Sequence, residues 1–96
     1  MRSVKTKQQE HFETDLLEVI EDTDLKELVV FNDDFNTFDH VIRTLIRVCK
    51  HTPEQAEQCT WLIHHKGKCA VRSGAEAELK PMCEAIREAG IDARIL

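Results

Sequence analysis

From about Leu25 to the C-terminus, short apolar runs of strand type alternate with stripes of helical period, which restricts the chain to a mixed α and β fold. Leu28-Val29-Val30-Phe31 is apolar and β-branched, and Asn32-Asp33-Asp34 follows at once, so it reads as a buried strand ending in a turn. Thr37 offers a capping hydroxyl and Asp39 a favourable first-turn charge. Phe38, Val41, Ile42, Leu45, Ile46 and Cys49 then share one helical face. Thr52-Pro53 starts a second helix, with a capping hydroxyl before a proline whose missing N–H costs nothing there. Ala56, Cys59, Thr60 and Ile63 share a face of that helix, and Gly67 ends it. Lys68–Arg72 alternates as a second strand. Ala75, Leu79, Met82, Cys83 and Ile86 mark a third helix stopped by Gly90, and Pro81 requires either a kink or a helix that begins there. Ile91–Leu96 alternates as the last strand. The order is βααβαβ, an α+β arrangement with a small sheet carrying its helices on one face.

At 96 residues there is room for one small domain, expected over 25–96. Residues 1–24 are expected to be a flexible, acidic N-terminal extension. Phe12, Leu16, Val19 and Ile20 keep helical spacing there, but Glu10, Glu13, Asp15, Glu18, Glu21, Asp22 and Asp24 crowd the same stretch. The formal charge is −5, from 13 Lys+Arg against 18 Asp+Glu, and no basic face suited to a nucleic-acid backbone is visible. No apolar run approaches the ~20 residues of a membrane-spanning helix. The N-terminal residues lack the apolar core of a signal peptide, which predicts a cytoplasmic protein with reduced thiols at Cys49, Cys59, Cys69 and Cys83. No C-x-x-C pair exists, so a zinc site built from cysteines alone is not expected.

Two polar clusters could carry chemistry. Asn32-Asp33-Asp34 concentrates oxygens at a strand end, where they could receive a cation or simply close an Asx-type turn. His64-His65-Lys66-Gly67-Lys68 ends the second helix, where a histidine suits the negative end of the helix dipole. Metal binding would have to recruit Cys59, His51 or Cys69 to His64, because adjacent histidines point about 100° apart on a helix. A thiol enzyme would need Cys59 or Cys69 beside His64 and Asp33, without any nucleophile elbow or glycine-rich anion loop.

The two clusters together resemble the signatures of the ClpS adaptors. Val30-Phe31-Asn32-Asp33-Asp34-Phe35, with Val41 beyond it, is similar to the family's opening motif. His64-His65-Lys66-Gly67-Lys68 resembles its H-x-x-G-K segment, and Ala77-Glu78-Leu79-Lys80 its A-E-x-K stretch. The spacing between the first two also agrees, and the resemblance covers about residues 28–96. It implies a βααβαβ two-layer sandwich with a three-stranded antiparallel sheet, and a non-enzymatic adaptor without a cofactor. Such an adaptor docks on the N-terminal domain of a Clp-type AAA+ unfoldase. It delivers N-degron proteins, those that begin with a destabilising, bulky hydrophobic residue.

By position, the resemblance assigns Asn32, Asp33 and His64 to the substrate's α-amino group. It assigns Phe38, Val41, Thr60, Ile63 and Ala93 to the pocket for the first side chain, and Glu76, Glu78 and Lys80 to unfoldase docking. It further implies a monomer, no metal, and a handover role for the N-terminal extension. Phe38 stands where the family often has an aliphatic residue or methionine, and Thr60 and Ala93 where larger apolar residues are common. The stretch between Val71 and Ala77 is about two residues shorter than usual. Other readings are a ClpS-like protein that docks on and modulates the unfoldase without recognising N-degrons, a binding module resembling the ribosomal stalk protein's C-terminal domain, and a small metal- or thiol-dependent enzyme.

Overall fold

A computed structural model describes residues 25–96, and the expected N-terminal extension over 1–24 lies outside the described residues. The elements are β1 (Leu25–Phe31), α1 (Phe38–Cys49), α2 (Pro53–Lys66), β2 (Lys68–Ala75), α3 (Glu76–Glu88) and β3 (Ala93–Ile95). The sheet runs β2-β1-β3 with both pairings antiparallel, so the βααβαβ sandwich is the observed fold.

β1 is the central strand. Its Leu28 and Val30 point into the layer of helices and are fully buried. There they meet Val41, Leu45 and Cys49 of α1, Ala56 and Ile63 of α2, and Leu79, Cys83 and Ile86 of α3. Each stripe predicted from periodicity therefore faces this single core. Both caps on α1 and α2 form as their sequences require. Thr37 accepts the His40 N–H, and Thr52 with Gln55 makes a reciprocal capping box ahead of Pro53. Gly67 closes α2 in the left-handed region at φ 97, a conformation that a side chain would resist.

Three strands and one helix differ in extent from their sequence patterns, and β1 begins at Leu25, three residues before the apolar run that marks it. β2 continues to Ala75 because a bulge resets its register: Leu28 pairs with Arg72 but Val29 with Ala70. The extra residue, Val71, is thereby buried, and Arg72 reaches across to donate to the Cys49 carbonyl at 2.8 Å. α3 runs through Pro81, so the helix begins upstream of it rather than at it. The bond lost there would have served the carbonyl of exposed Ala77, which water can satisfy. β3 is shorter than the alternating segment Ile91–Leu96. Its backbone bonding to β1 still extends outward, from the Phe31 N–H to Asp92 and in both directions between Glu27 and Leu96.

Candidate functional site

The two polar clusters converge where β1 leaves the sheet. The Asn32 N–H donates to the Gly67 carbonyl at 2.9 Å, which ties the end of β1 to the C-cap of α2. Asn32 itself is exposed. Next to it, Asp33 closes an Asx turn: its Oδ1 accepts the N–H groups of Phe35 and Asn36, both at 2.8 Å. Its Oδ2 accepts the Asn36 side-chain amide at 2.6 Å. The turn alternative considered for Asn32-Asp33-Asp34 is thus realised in Asp33. Partial burial opposes ionisation of this carboxyl. The bonds from Asn36 and Phe35, with the nearby His64, outweigh it and hold the carboxyl below the usual aspartate value of 3.8.

His64 lies in the last turn of α2. Its Nδ1 donates to the Thr60 carbonyl at 3.2 Å. A neutral ring that carries its proton on Nδ1 leaves Nε2 as an acceptor. Phe38, the first residue of α1, sets its ring 5.1 Å from the His64 ring at an interplanar angle of 50°. His65, by contrast, faces outward and stacks on exposed Trp61 at 4.3 Å.

Beneath this corner the residues assigned to the side-chain pocket behave unequally. Val41, Thr60, Ile63 and Ala93 are at most 2% exposed and belong to or line the core, whereas Phe38 is 36% exposed. Thr60 spends its hydroxyl on the Ala56 carbonyl at 2.7 Å, so it presents its methyl group rather than an unsatisfied donor. Phe38 is therefore the one assigned pocket residue with substantial exposure, and its ring packs on His64.

The loop around the corner is braced from the far side of the molecule, by residues that carried no sequence assignment. Asn36 Nδ2 also donates to the Gly90 carbonyl at 2.8 Å, and His40 Nε2 donates to the Ala89 carbonyl at 2.8 Å. The signal that could have found Asn36 is its position three residues after an aspartate that opens a turn.

The metal alternative finds no ligand set among the described residues, and burial disfavours Cys69 as the nucleophile of the thiol alternative. Among the described residues no three His, Cys, Asp or Glu side chains come together as a metal set. Burial pushes the Cys49 thiol up to about 11, against the pull of Arg72. Burial and the neighbouring Cys59 push Cys69 up to about 12. Thiols held protonated in this way are poor nucleophiles at neutral pH.

A family model described as ATP-dependent Clp protease adaptor protein ClpS matches residues 21–93. The chain belongs to the ClpS family. A ClpS adapter protein of Helicobacter hepaticus is 35% identical over 71 residues, covering 72% of this chain and 72% of that protein. One from Thermosynechococcus vestitus is 32% identical over 65 residues, covering 67% and 69%. Among solved structures, Agrobacterium tumefaciens ClpS2 bound to L-phenylalaninamide matches with a TM-score of 0.64 at 19% identity, over 75% of this chain and 94% of that one. The ClpS fold and the ClpS family thus coincide, and the family is one of Clp protease adaptors rather than enzymes.

The residues assigned to docking stand apart from this corner. Glu76, Glu78 and Lys80 are exposed on the first turns of α3, and Glu76 and Lys80 border a shallow groove with Glu84, Arg87 and Ile95. Among the described residues no helix is long and apolar enough to cross a membrane.

Proposed function

We propose that this ClpS-type adaptor binds the free α-amino group and bulky hydrophobic first residue of N-degron proteins, and delivers them to the N-terminal domain of a Clp-type AAA+ unfoldase. The observation that carries the reading is the corner itself, where Asp33 and His64 are electrostatic neighbours and Asn32 is tied to the C-cap of α2. A substrate ammonium brings a positive charge and three N–H donors, and burying it requires acceptors for them. Asn32 supplies an amide oxygen, His64 its Nε2, and Asp33 the compensating charge. A carboxylate offers about four lone-pair directions. The loop takes both on Asp33 Oδ1 and one on Oδ2, which leaves one on Oδ2 for the ligand.

Charge-assisted bonds contribute about 1.5–3 kcal/mol each, and burying a leucine or phenylalanine side chain adds about 1.5–3 kcal/mol. After the cost of association, micromolar affinity is expected. The first side chain would lie against Phe38, which swings off His64 to uncover Val41, Thr60, Ile63 and Ala93. That the solved relative from Agrobacterium tumefaciens carries L-phenylalaninamide, a free amine with an aromatic side chain, supports the same ligand class here. The adaptor works as a cytoplasmic monomer in this reading, with residues 1–24 as a tether for handover.

The burial of Val41, Thr60, Ile63 and Ala93, with the Phe38 ring packed on His64, favours a second reading, in which the protein docks on the unfoldase and modulates it without taking N-degrons. Fluorescence anisotropy with short peptides differing only in residue one, combined with binding to the unfoldase N-terminal domain, separates the two. Micromolar binding of peptides beginning with Leu, Phe, Tyr or Trp supports the first reading. Docking with no peptide binding supports the second.

A further inference from the structure

We infer that Asn36 is the positioning residue of the proposed amine site: its side-chain amide clamps Asp33 Oδ2 to the turn that follows α3. The inference rests on reading the corner as an amine site. Asn36 Nδ2 carries two hydrogens, and both are committed, one to Asp33 Oδ2 at 2.6 Å and one to the Gly90 carbonyl at 2.8 Å. The far anchor is itself fixed. Gly90 sits at φ 86, and its N–H donates to the Arg87 carbonyl at 2.9 Å while the Ile91 N–H donates to Ile86 at 3.2 Å.

The two oxygens of Asp33 therefore differ in role. Oδ1 is held by two backbone amides of its own turn. Oδ2 has one tether, the Asn36 amide, and keeps the lone pair available to a bound ammonium. Asn36 thus sets the direction of the acceptor that faces the ligand, and its far anchor is the turn after α3, which contributes no residue to the amine site. A serine or threonine at this position has a single O–H donor and cannot bridge both partners. The neighbouring bond from His40 to the Ala89 carbonyl braces the same loop against the same turn without touching Asp33, so it separates a brace from an aiming device.

The test uses Asn36→Ala, Asn36→Asp and His40→Ala in the full chain, with two readouts. The first is the carbon-13 titration of the Asp33 carboxyl by NMR, with no peptide present and with His64, which faces it, intact in every variant. The second is the anisotropy of a phenylalanine-initiated peptide with a free or an acetylated amine. Asn36→Ala should move the Asp33 midpoint up toward 3.8, and Asn36→Asp, which sets a second carboxylate against the first, should move it further. Affinity for the free amine should fall about tenfold in both, the loss of roughly one charge-assisted bond. His40→Ala should lower thermal stability yet leave the Asp33 midpoint and the affinity where they are. An unshifted Asp33 in Asn36→Ala, or an equal loss of affinity in His40→Ala, overturns the assignment. If the wild-type chain binds no free-amine peptide, the amine-site reading fails instead, and the clamp is judged by the titration alone.

Discussion

The corner at the end of β1 and the N-terminal face of α3 are both polar and both carry assigned residues, yet they are built in opposite ways. At the corner nearly every polar group is aimed. Asp33 receives bonds from its own turn, Asn36 reaches across to Gly90, and His64 is oriented through Nδ1. On α3 the helix opens at Ala75 without any side-chain cap, and Glu76, Glu78 and Lys80 stand in solvent. The nearest ion pair there, Arg72 to Glu78, is 3.9 Å long and half exposed. The contrast teaches that the first region can discriminate by direction, through acceptors whose lone pairs are fixed before a ligand arrives. The second can contribute only a field, which salt and solvent tune.

If that contrast holds, the largest effect belongs to the ligand's own amine. Acetylating the N-terminus of a tight-binding peptide removes its charge and two donors, and should weaken binding by at least about 100-fold. Comparable affinity for the two peptides in an anisotropy titration would break the comparison at its strong end. Next is Asp33→Ala, which releases the turn as well as the ligand acceptor and should cost roughly 1–3 kcal/mol of stability, while Asp34→Ala should be near neutral.

The pH dependence of that cost has a definite sign. Because the folded carboxyl sits below 3.8, its stabilising contribution is complete above that value and disappears as pH falls through the lower folded value. Urea unfolding should therefore show the gap between wild type and Asp33→Ala closing as the solution is acidified below 3.8, and a gap that stays constant would contradict the assignment.

A third, smaller pair compares the helix starts. Thr52→Ala dismantles the capping box of α2 and should cost about 1 kcal/mol, whereas Ala75→Ser gives α3 the cap it lacks and should gain a few tenths, up to about 1 kcal/mol. Equal thermal shifts of the same sign would show that capping does not distinguish the regions. Smallest per residue are the charges on α3. Glu76→Gln, Glu78→Gln and Lys80→Ala should each change docking to an unfoldase N-terminal domain by about 0.2–1 kcal/mol, and the effects should shrink as salt rises above about 0.15 M. Calorimetry at two salt concentrations measures this, and peptide binding at the corner should respond far less.

The fold was legible because periodicity and caps agree at each helix: the stripe from Phe38 to Cys49 and the Thr52-Pro53 start both mark faces that the core buries. The limits of β2 were not, because a bulge changes register without changing composition, and Val71 looks like any other strand residue until Leu28 pairs with Arg72. Pro81 was ambiguous because a proline loses no bond at a helix start and one bond in a helix interior, and only the exposure of Ala77 makes the interior loss cheap. At the candidate site, Asn32, Asp33 and His64 could be named from their motifs. The bracing by Asn36 and His40 could not, since their partners are main-chain carbonyls at Ala89 and Gly90, which carry no side-chain signature. The seating of the Phe38 ring on His64 was equally hidden, because it depends on the side chain's rotamer.

Among the described residues the three-stranded sheet leaves both outer strands without a neighbour, and a bare ladder of amides and carbonyls invites a second molecule to zip onto it. Here one margin is only three residues long, and the other is interrupted by the irregularity opposite Leu28 and Val29 and carries Lys68 and Arg72. Such margins disfavour stacking into fibrils at high concentration, a protection written into the backbone rather than into any one side chain.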